Sequence, residues 1–384
     1  MSKPHQKHPP IKRPTYGEFH LHEYAIIGTP CGEIQHLAKA ITRSLSNNYR
    51  VAYVDADHAS ADGEAVAPSD TFLNTGGHAE YTDKISFHRF DVHRPINKFQ
   101  FRQQFYSADV ALVNGNHFRG KRQIVVVDPR KEKSLAKKLD RLTDVAMILM
   151  QTDATDLPDY LKSHLPNYAE IPTFAFAKTE KVVDLIQKDL LKKRPVLKGL
   201  VLAGGKSQRM GEDKGALNYH GKPQREYAAD LLKNVCSEVY ISTRAEQQID
   251  SSYPTLNDSF VGLGPFGAIL SAFRQDPTAA WLVVACDLPL LDEKTLQVLV
   301  KNRNASLTAT AFHNSETRFP EPLITIWEPR SYPELLQFLA QGYACPRKVL
   351  INTEIEEIKL ADETVLRNVN TKEEKGEVQE ILGS

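Results

Sequence analysis

The chain has 384 residues, 41% of them hydrophobic and 25% charged, and its 48 basic residues balance its 48 acidic ones. This composition excludes a mostly disordered chain, a collagen and a coiled-coil rod, and the zero net charge gives no electrostatic reason to expect a nucleic-acid partner. No run of about 18 apolar residues occurs, and no apolar stretch follows the first residues, so we expect neither a membrane span nor a secretory signal. The length favours two domains.

The four cysteines are far apart and form no CxxC pair; they are Cys31, Cys236, Cys286 and Cys345. Without an export signal they predict free thiols in a cytoplasmic protein. No Ser/His/Asp or Cys/His pattern stands out for nucleophilic catalysis. Cys286 ends an apolar run, where a small buried hydrophobe is the better interpretation.

The elements in chain order begin after a basic, proline-rich tail at residues 1–14, which holds too little apolar surface to order itself. A first domain, residues 15–195, alternates β-branched runs with helical patterns. Its predicted strands are 24–27, 51–54, 110–113, 124–127 and 145–149, and its predicted helices include 34–45 and 135–142. A cationic helix end followed by Pro195 marks the start of a second domain at 196–384.

The second domain repeats the strand–helix alternation. Its predicted strands are 200–202, 239–242, 281–286 and 307–311, and its predicted helices are 225–234, 267–274 and 293–301. We therefore predict an α/β protein of two Rossmann-like, three-layer domains with mostly parallel sheets. Ligands of such sheets bind beyond the carboxyl ends of the strands, so the loops that follow strands are the candidate sites.

The loop after the first predicted strand has the layout of a phosphate loop without its chemistry. Residues 28–32 carry glycines between a strand and a helix, but Glu33 and Ile34 stand where a Walker loop has Lys and Ser or Thr. Glu33 would also repel phosphate, so a GTPase site here is poor. Asp57, His58 and His78 could hold a metal, although ordinary polar loop residues are the favoured interpretation.

The loop after strand 200–202 carries the strongest signal. Gly204 and Gly205 let the backbone turn sharply and present its amides to a ligand. Three cations follow, Lys206, Arg209 and Lys214. Amides and mobile cations are what a triphosphate needs, and the stretch lacks the Walker pattern. We predict nucleotide binding, with a plain turn and surface lysines as the alternative.

Two carboxylates also follow apolar runs. Asp287 closes the strand before Pro289 and could hold Mg²⁺ on the phosphates, the alternative being a helix N-cap. Asp258 follows a possible strand and could contact ribose or base, although alone it is a turn residue.

Together these motifs resemble the molybdenum cofactor guanylyltransferases (MobA), a family of nucleotidyltransferases with a Rossmann-like fold. The matching segments are LAGGKSQRMGEDKG at 202–215, GKP at 221–223, CDLP at 286–289, PEPL at 320–323 and NVNT at 368–371. The resemblance covers about residues 197–380. It implies Mg²⁺-dependent transfer of GMP from GTP to molybdopterin or Mo-molybdopterin, with release of pyrophosphate.

The resemblance also implies roles for single residues. The nucleotide contacts would be Leu202, Ala203, Gly204, Gly205, Lys206, Lys214, Asp258 and Asp287. The catalytic set would be Arg209, Lys214 and Asp287, with Arg209 on the leaving pyrophosphate and Asp287 on the metal. The molybdopterin side would hold Glu321, Asn368 and Asn370.

Two departures from the family pattern matter for the nucleotide. The family usually has an Asn after the strand near 239–242, where this chain reads Ser242-Thr243-Arg244. Its GPLxG segment is here Gly264-Pro265-Phe266-Gly267-Ala268. In the family the GG form of the loop is typical of guanylyl transfer, so the resemblance implies a preference for GTP over CTP. The two departures make the expected preference smaller.

The first domain resembles, more weakly, the adaptor GTPase of the same pathway (MobB), through VAYVDADH at 51–58 and DVALVNGNH at 109–117. The residues for hydrolysis are missing, which implies a degenerate adaptor fused to the transferase. Client molybdoenzymes and their chaperones are implied partners. The alternatives are cytidylyl or other nucleotidyl transfer to a different phosphorylated acceptor, and a scaffold that carries the cofactor.

Overall fold

The computed structural model describes residues 17–57, 72–204, 213–244 and 246–383. The chain divides into two compact units, one ending at Lys192 and the next beginning at Lys193. The tail predicted at 1–14 lies outside the described residues. Across the described ranges, no helix is long and apolar enough to cross a membrane.

The first unit alternates strands and helices along the chain. Its strands are β1 (Glu23–Ile27), β2 (Val51–Val54), β3 (Ala79–Asp83), β4 (His88–Val92), β5 (Val110–Asn114), β6 (Arg122–Val127), β7 (Val145–Met150) and β8 (Thr173–Ala175). Its helices are α1 (Cys31–Leu45), α2 (Lys98–Gln104), α3 (Glu132–Ala136), α4 (Asp159–His164) and α5 (Thr179–Lys192).

The main sheet of this unit is parallel, in the order β2-β5-β1-β6-β7-β8, and β3 and β4 form a separate antiparallel hairpin. Helices α1 and α5 cover one face of the sheet, and α3 and α4 contribute apolar side chains to the core on the other. Strands buried on both faces are rich in apolar residues, and the apolar runs at 24–27 and 110–113 therefore predict β1 and β5.

The helix predicted at 135–142 is wrong in its extent. α3 ends at Ala136, and a 3₁₀ turn at Leu139–Arg141 follows it. The N–H of Lys138 bonds to the carbonyl of Leu135, three residues back, so the chain tightens and the α-helix stops. The apolar spacing of residues 135, 139 and 142 fits both forms, which explains the error.

The second unit has a seven-stranded sheet. Its strands are β9 (Leu197–Leu202), β10 (Val239–Thr243), β11 (Thr255–Asn257), β12 (Ala280–Ala285), β13 (Ala309–Asn314), β14 (Phe319–Trp327) and β15 (Ile355–Ile358). Its helices are α6 (Gln224–Lys233), α7 (Pro265–Gln275), α8 (Glu293–Lys301), α9 (Ser331–Ala340), α10 (Pro346–Ile351) and α11 (Lys372–Gly383).

The strand order is β11-β10-β9-β12-β14-β13-β15, and all neighbours are parallel except β14, which runs antiparallel to β12 and β13. Helices α6 and α8 pack on one face, and α7, α9 and α10 pack on the other. Both units thus have a mostly parallel sheet with helices on both faces. The predicted α/β class is confirmed.

The four parallel strands β9 to β12 end at one edge of the second sheet. Leu202 pairs with Ser242 on one side and with Ala285 on the other, so the strand ends are level. β14 runs the opposite way, and its Ile324 pairs with Val284. Because Glu321 precedes Ile324 by three residues, it lies at the same edge as the end of β12.

Candidate functional site

The nucleotide loop leaves β9 beside the end of β10. A Cβ on Gly204 would lie 3.5 Å from Arg244 Cγ and 3.8 Å from Asp258 Oδ2, which shows how closely these three residues approach one another. Leu202 and Ala203 form the strand end that leads to Gly204. The loop continues through Gly205, Lys206 and Arg209, which lie outside the described residues.

Three of the predicted site residues meet at one cation. Lys214 Nζ lies 3.1 Å from Asp287 Oδ2 and donates to Asn370 Oδ1 at 2.6 Å. These residues come from three separate sequence motifs, at positions up to 156 residues apart. About a fifth of each of the Lys214 and Asp287 side chains is exposed, so the pair is shielded and still reachable by a ligand.

A carboxylate and a guanidinium that sequence reasoning missed hold the Lys214 turn. Asp213 accepts from the N–H of Gly215 at 3.0 Å, and its other oxygen lies 3.0 Å from Arg225 Nη1. Arg225 belongs to the first turn of α6. Its place two positions after the GKP motif, together with the acidic residue before Lys214, was the signal that could have found the pair.

The backbone carbonyls of the loop after β12 accept hydrogen bonds from side chains in and just before α6. The side chains of His220, Gln224 and Tyr227 donate to the carbonyls of Pro289, Leu288 and Leu291, at 2.8, 3.2 and 3.1 Å. The rings of His220 and Tyr227 also stack, with centroids 3.7 Å apart. The GKP segment therefore helps to place Asp287 by starting the helix that holds its loop.

Asp287 does not cap a helix. The N-cap of α8 is Asp292, whose side chain accepts from the N–H of Thr295 at 2.8 Å. The capping alternative for Asp287 is therefore wrong.

Asp287 is also tied to the NVNT segment, because the N–H of Val369 donates to its carbonyl at 2.9 Å. Within the described residues, Asp287 Oδ1 and Asn368 Oδ1 are both buried without a hydrogen-bond partner. Unsatisfied buried carboxylate and amide oxygens are the hard donors that Mg²⁺ takes in proteins. The residues at this edge fit a magnesium ion. Among the described residues, no group of three or more His, Cys, Asp or Glu side chains has an arrangement that could hold a metal ion, and His58 of the predicted group lies outside those residues.

The carboxyl group of Asp258 lies in a partly buried environment. Its Oδ1 accepts from the hydroxyl of Ser242 at 2.9 Å. Burial raises the pKa of Asp258, and the Ser242 hydrogen bond opposes that shift. A buried carboxylate of this kind gains most when a ligand donates to it.

Arg244 directly follows β10, next to positions 241–243, where the resemblance predicts an Asn that this chain lacks. Its Nη1 lies 3.4 Å from Glu246 Oε1, and its buried Nε has no partner within the described residues. Gln247 donates to the carbonyl of Ala203 at 3.2 Å and so contacts the end of β9. Gln247 was not predicted, because its position matches no motif.

Glu321 is 7% exposed and lies within an ion-pair group of its own. Asn314 Nδ2 donates to its Oε1 at 2.7 Å, and Arg347 Nη2 lies 3.6 Å from the same oxygen.

Cys286 is 8% exposed, and burial raises the pKa of its thiol to about 12, so the prediction of a buried hydrophobe is confirmed.

The sequence pattern singled out no Cys/His pair, and the fold of the first unit brings one together. Cys31 Sγ lies 3.4 Å from His117 Nε2. The two residues are 86 positions apart, and only the pairing of β1 with β5 brings them together. No local sequence pattern contains that information.

Side chains at the phosphate-like loop of the first unit make polar contacts with Asp128 and Arg130, which follow β6. Thr29 is fully buried and donates to Asp128 at 2.7 Å. Arg130 Nη2 lies 2.8 Å from Asp128 Oδ2 and 3.6 Å from Glu33 Oε1. A cation therefore already neutralises the acidic residue that replaces the Walker lysine.

Comparison with known proteins agrees with this geometry. Residues 199–357 match the model of the MobA-like NTP transferase domain. The chain is 35% identical over 185 residues to a molybdenum cofactor biosynthesis bifunctional protein of Synechocystis sp., an alignment that covers 47% of this chain and 53% of that one. The chain thus spans about half the length of this relative.

A second relative, from Carboxydothermus hydrogenoformans, is named a probable molybdenum cofactor guanylyltransferase. It is 30% identical over 179 residues, covering 44% of this chain and 89% of the relative. The crystal structure of molybdopterin-guanine dinucleotide biosynthesis protein A from Archaeoglobus fulgidus has a TM-score of 0.43 and 21% identity, and the match covers 48% of this chain and 98% of that one. Because the match at 30% identity spans nearly the whole second relative, the chain belongs to the molybdenum cofactor guanylyltransferase family.

Proposed function

We propose that the second unit transfers GMP from GTP to molybdopterin or Mo-molybdopterin and releases pyrophosphate. The observation that carries the proposal is the meeting of Lys214, Asp287 and Asn370 at the edge where the Gly204 loop also leaves the sheet. The names of the relatives support the same reaction for the same family motifs.

The reaction needs positioning and charge neutralisation and no covalent nucleophile. A terminal phosphate oxygen of the acceptor attacks the α-phosphorus of GTP, the new P–O bond forms, and the bond to the β-phosphate breaks as pyrophosphate leaves. Lys214 would neutralise phosphate charge, and Arg209 would do the same for the leaving pyrophosphate. Leu202, Ala203, Gly204, Gly205, Lys206 and Asp258 would hold the nucleotide. Glu321, Asn368 and Asn370 would line the acceptor side.

Asp287 would hold Mg²⁺, because its Oδ1 is a buried oxygen without a hydrogen-bond partner in the described part of the chain. When bound, the ion supplies positive charge that offsets the phosphates. Lys214 would keep the carboxylate oriented, because its Nζ lies 3.1 Å from the other oxygen of Asp287.

For the first unit we propose a degenerate, MobB-like adaptor domain over residues 15–195, joined to the transferase domain at 196–384. The closed loop around Thr29 and Arg130 supports a loss of phosphate chemistry. A helper on the same chain raises its effective concentration at the transferase. Client molybdoenzymes and their chaperones are the partners it would serve.

The test of the metal and phosphate role is Asp287→Asn, which keeps the shape of the side chain and removes its charge. Metal stabilisation of phosphoryl transfer contributes several kcal/mol, and each 1.36 kcal/mol is tenfold in rate, so turnover should fall about a hundredfold or more. The measurement is pyrophosphate release with GTP, Mg²⁺ and molybdopterin. The melting temperature should change little.

Asp292→Asn is the matched control, since it makes the same substitution five residues away at the α8 cap. Asn caps a helix nearly as well as Asp, so this variant should keep its activity. Near-wild-type turnover of Asp287→Asn would remove Asp287 from the mechanism.

Base choice is the second test. We expect GTP to be used faster than CTP in direct competition, with dinucleotide products separated by mass. The margin should be modest, because the Asn expected near 241–243 is absent from this chain. Faster use of CTP would support the cytidylyl alternative, and no dinucleotide with any nucleotide would support the carrier alternative.

A further inference from the structure

A cysteine, a histidine and an aspartate lie together at the carboxyl edge of the sheet in the first unit. Cys31 is the first residue of α1 and follows β1, His117 follows β5, and Asp55 follows β2. These three strands are neighbours in the order β2-β5-β1. The cluster lies beside the phosphate-like loop, and the proposed transferase reaction makes no use of it.

The contacts connect the three side chains through one nitrogen. His117 Nε2 lies 3.4 Å from Cys31 Sγ and 4.0 Å from Asp55 Oδ1. The His117 and Asp55 side chains are 19% and 18% exposed, so the cluster is shielded but open to small molecules. Asn116 fixes the approach from the same loop, with its Nδ2 2.8 Å from the carbonyl of Thr29 and 3.7 Å from Cys31 Sγ.

Asp55 is built to remain an anion. It accepts from Tyr53, Gln35 and Asn114 side chains at 2.7, 3.1 and 2.8 Å, and from the N–H of Ala56 at 2.8 Å. Burial pushes the pKa of Asp55 upward, but these hydrogen bonds outweigh it and hold the pKa below its ordinary value. An ionised carboxylate beside His117 stabilises the positive charge that the ring gains when it accepts a proton.

Positive charge near the thiol comes from helix α1 and Lys138, whereas the carboxylates of Asp55 and of Glu33 in the first turn of α1 oppose a thiolate. Cys31 lies at the N-terminus of the fifteen-residue helix α1, where the helix dipole favours an anion. Lys138 interacts with the thiol electrostatically and donates to the carbonyl of Asn116 at 3.0 Å. Tyr53, held by Asp55, is a further titratable neighbour of the thiol.

We propose that Cys31 is a nucleophilic thiol that forms mixed disulfides with low-molecular-weight disulfides, with His117 as its base. The thiol proton passes to His117 Nε2, and the thiolate attacks one sulfur of the disulfide. The new S–S bond forms as the old one breaks, and the leaving thiolate takes its electron pair and the proton from His117. The products are the mixed disulfide on Cys31 and one free small thiol.

The test uses the full chain and oxidised glutathione as the probe, with mass spectrometry of the cysteine-containing peptides over time. Cys345 is the internal reference, because it is exposed and also precedes a helix, α10. General base assistance contributes about a hundredfold or more in favourable sites, so Cys31 should react at least about tenfold faster than Cys345 at neutral pH.

His117→Gln should lower the rate at Cys31 about tenfold, since glutamine cannot take the proton. His36→Gln is the matched control, because His36 is an exposed histidine on the same helix, and it should leave the rate unchanged. Equal rates at Cys31 and Cys345, or a wild-type rate in a folded His117→Gln, would overturn the proposal. If His117→Gln loses its circular dichroism signal, the comparison of the two cysteines in the wild type decides.

Discussion

Three aspartates near one sheet edge have three different surroundings. Asp292 caps a helix, and Asp258 accepts from the Ser242 hydroxyl. Asp287 faces Lys214, and its other oxygen is buried with no hydrogen-bond partner among the described residues. A cap is satisfied within the protein, whereas the other two keep capacity for a ligand. Residue type alone does not separate these roles, and the surrounding contacts do.

Asp258→Asn separates binding from stability. Burial raises the pKa of Asp258, so this group contributes stability that is fully present below its unfolded pKa, where the carboxyl is protonated, and that is lost as pH rises through the folded pKa. At pH 7 the neutral amide should therefore be equally or more stable, and the difference should vanish toward about pH 4. Thermal melts at both pH values check this sign.

GTP should bind more weakly to the same Asp258→Asn variant, although its stability at pH 7 is kept or raised. Loss of a charge-assisted hydrogen bond costs about 1.5–3 kcal/mol, which is about tenfold or more in Kd. Calorimetric titration with GTP measures it. A variant that melts at a lower temperature and binds GTP normally would assign Asp258 to folding and remove it from the nucleotide site.

At the residue scale, the sequence predicted single residues within motifs but not the contacts that the fold makes between them. Lys214 and Asp287 each stand in a recognisable stretch. Asp213 and Arg225, 12 positions apart, also lie in or beside motifs, so a local signal existed for that pair. The Cys31–His117 contact joins positions 86 apart and depends on the pairing of β1 with β5, which no local pattern encodes.

At the scale of elements, uniformly apolar strands were predictable and β14 was not. β12 is buried along its whole length and reads as one apolar run. β14 lies inside the sheet, yet it contains Pro320 and Pro322, which lack the N–H for a regular ladder. A register shift in β13 between Ala311 and His313, where His313 meets Pro320, accommodates this stretch.

Helix α7 depends on one close approach, which Gly267→Ala should disrupt. A Cβ at Gly267 would lie 2.2 Å from the carbonyl oxygen of Phe260, so the loop that follows Asp258 must shift. Overpacking of this kind costs about 1–3 kcal/mol of the free energy of unfolding. Urea denaturation measures the loss, and GTP affinity should fall with it because Asp258 moves.

Gly376→Ala is the control for that variant, since Gly376 lies in α11, exposed and with no atom within 4 Å of an added Cβ. There the substitution should stabilise by about 0.5–1 kcal/mol, because alanine loses less conformational entropy in a helix. Equal effects at both positions would show that the Phe260 contact is unimportant.

On the scale of the whole molecule, the two units have related layouts at the carboxyl edges of their sheets. In the second unit the edge gathers a lysine, a carboxylate and an amide. In the first unit Thr29 of the equivalent loop donates to Asp128, which pairs with Arg130, and the same sheet edge holds a thiol cluster. We therefore expect nucleotide chemistry to belong to the second unit.

The last prediction follows from that division: the full chain should not hydrolyse GTP to GDP and phosphate. Glu33 and Ile34 stand where a phosphate loop needs Lys and Ser or Thr, and Arg130 lies 3.6 Å from Glu33. With GTP and Mg²⁺ but no acceptor, phosphate release should stay at the level without protein, in the wild type and in Asp287→Asn alike. Gly32→Ala, where an added methyl meets none of the described residues within 4 Å, should leave phosphate release unchanged. Magnesium-dependent phosphate release that survives Asp287→Asn and stops in Gly32→Ala would place a working GTPase in the first unit.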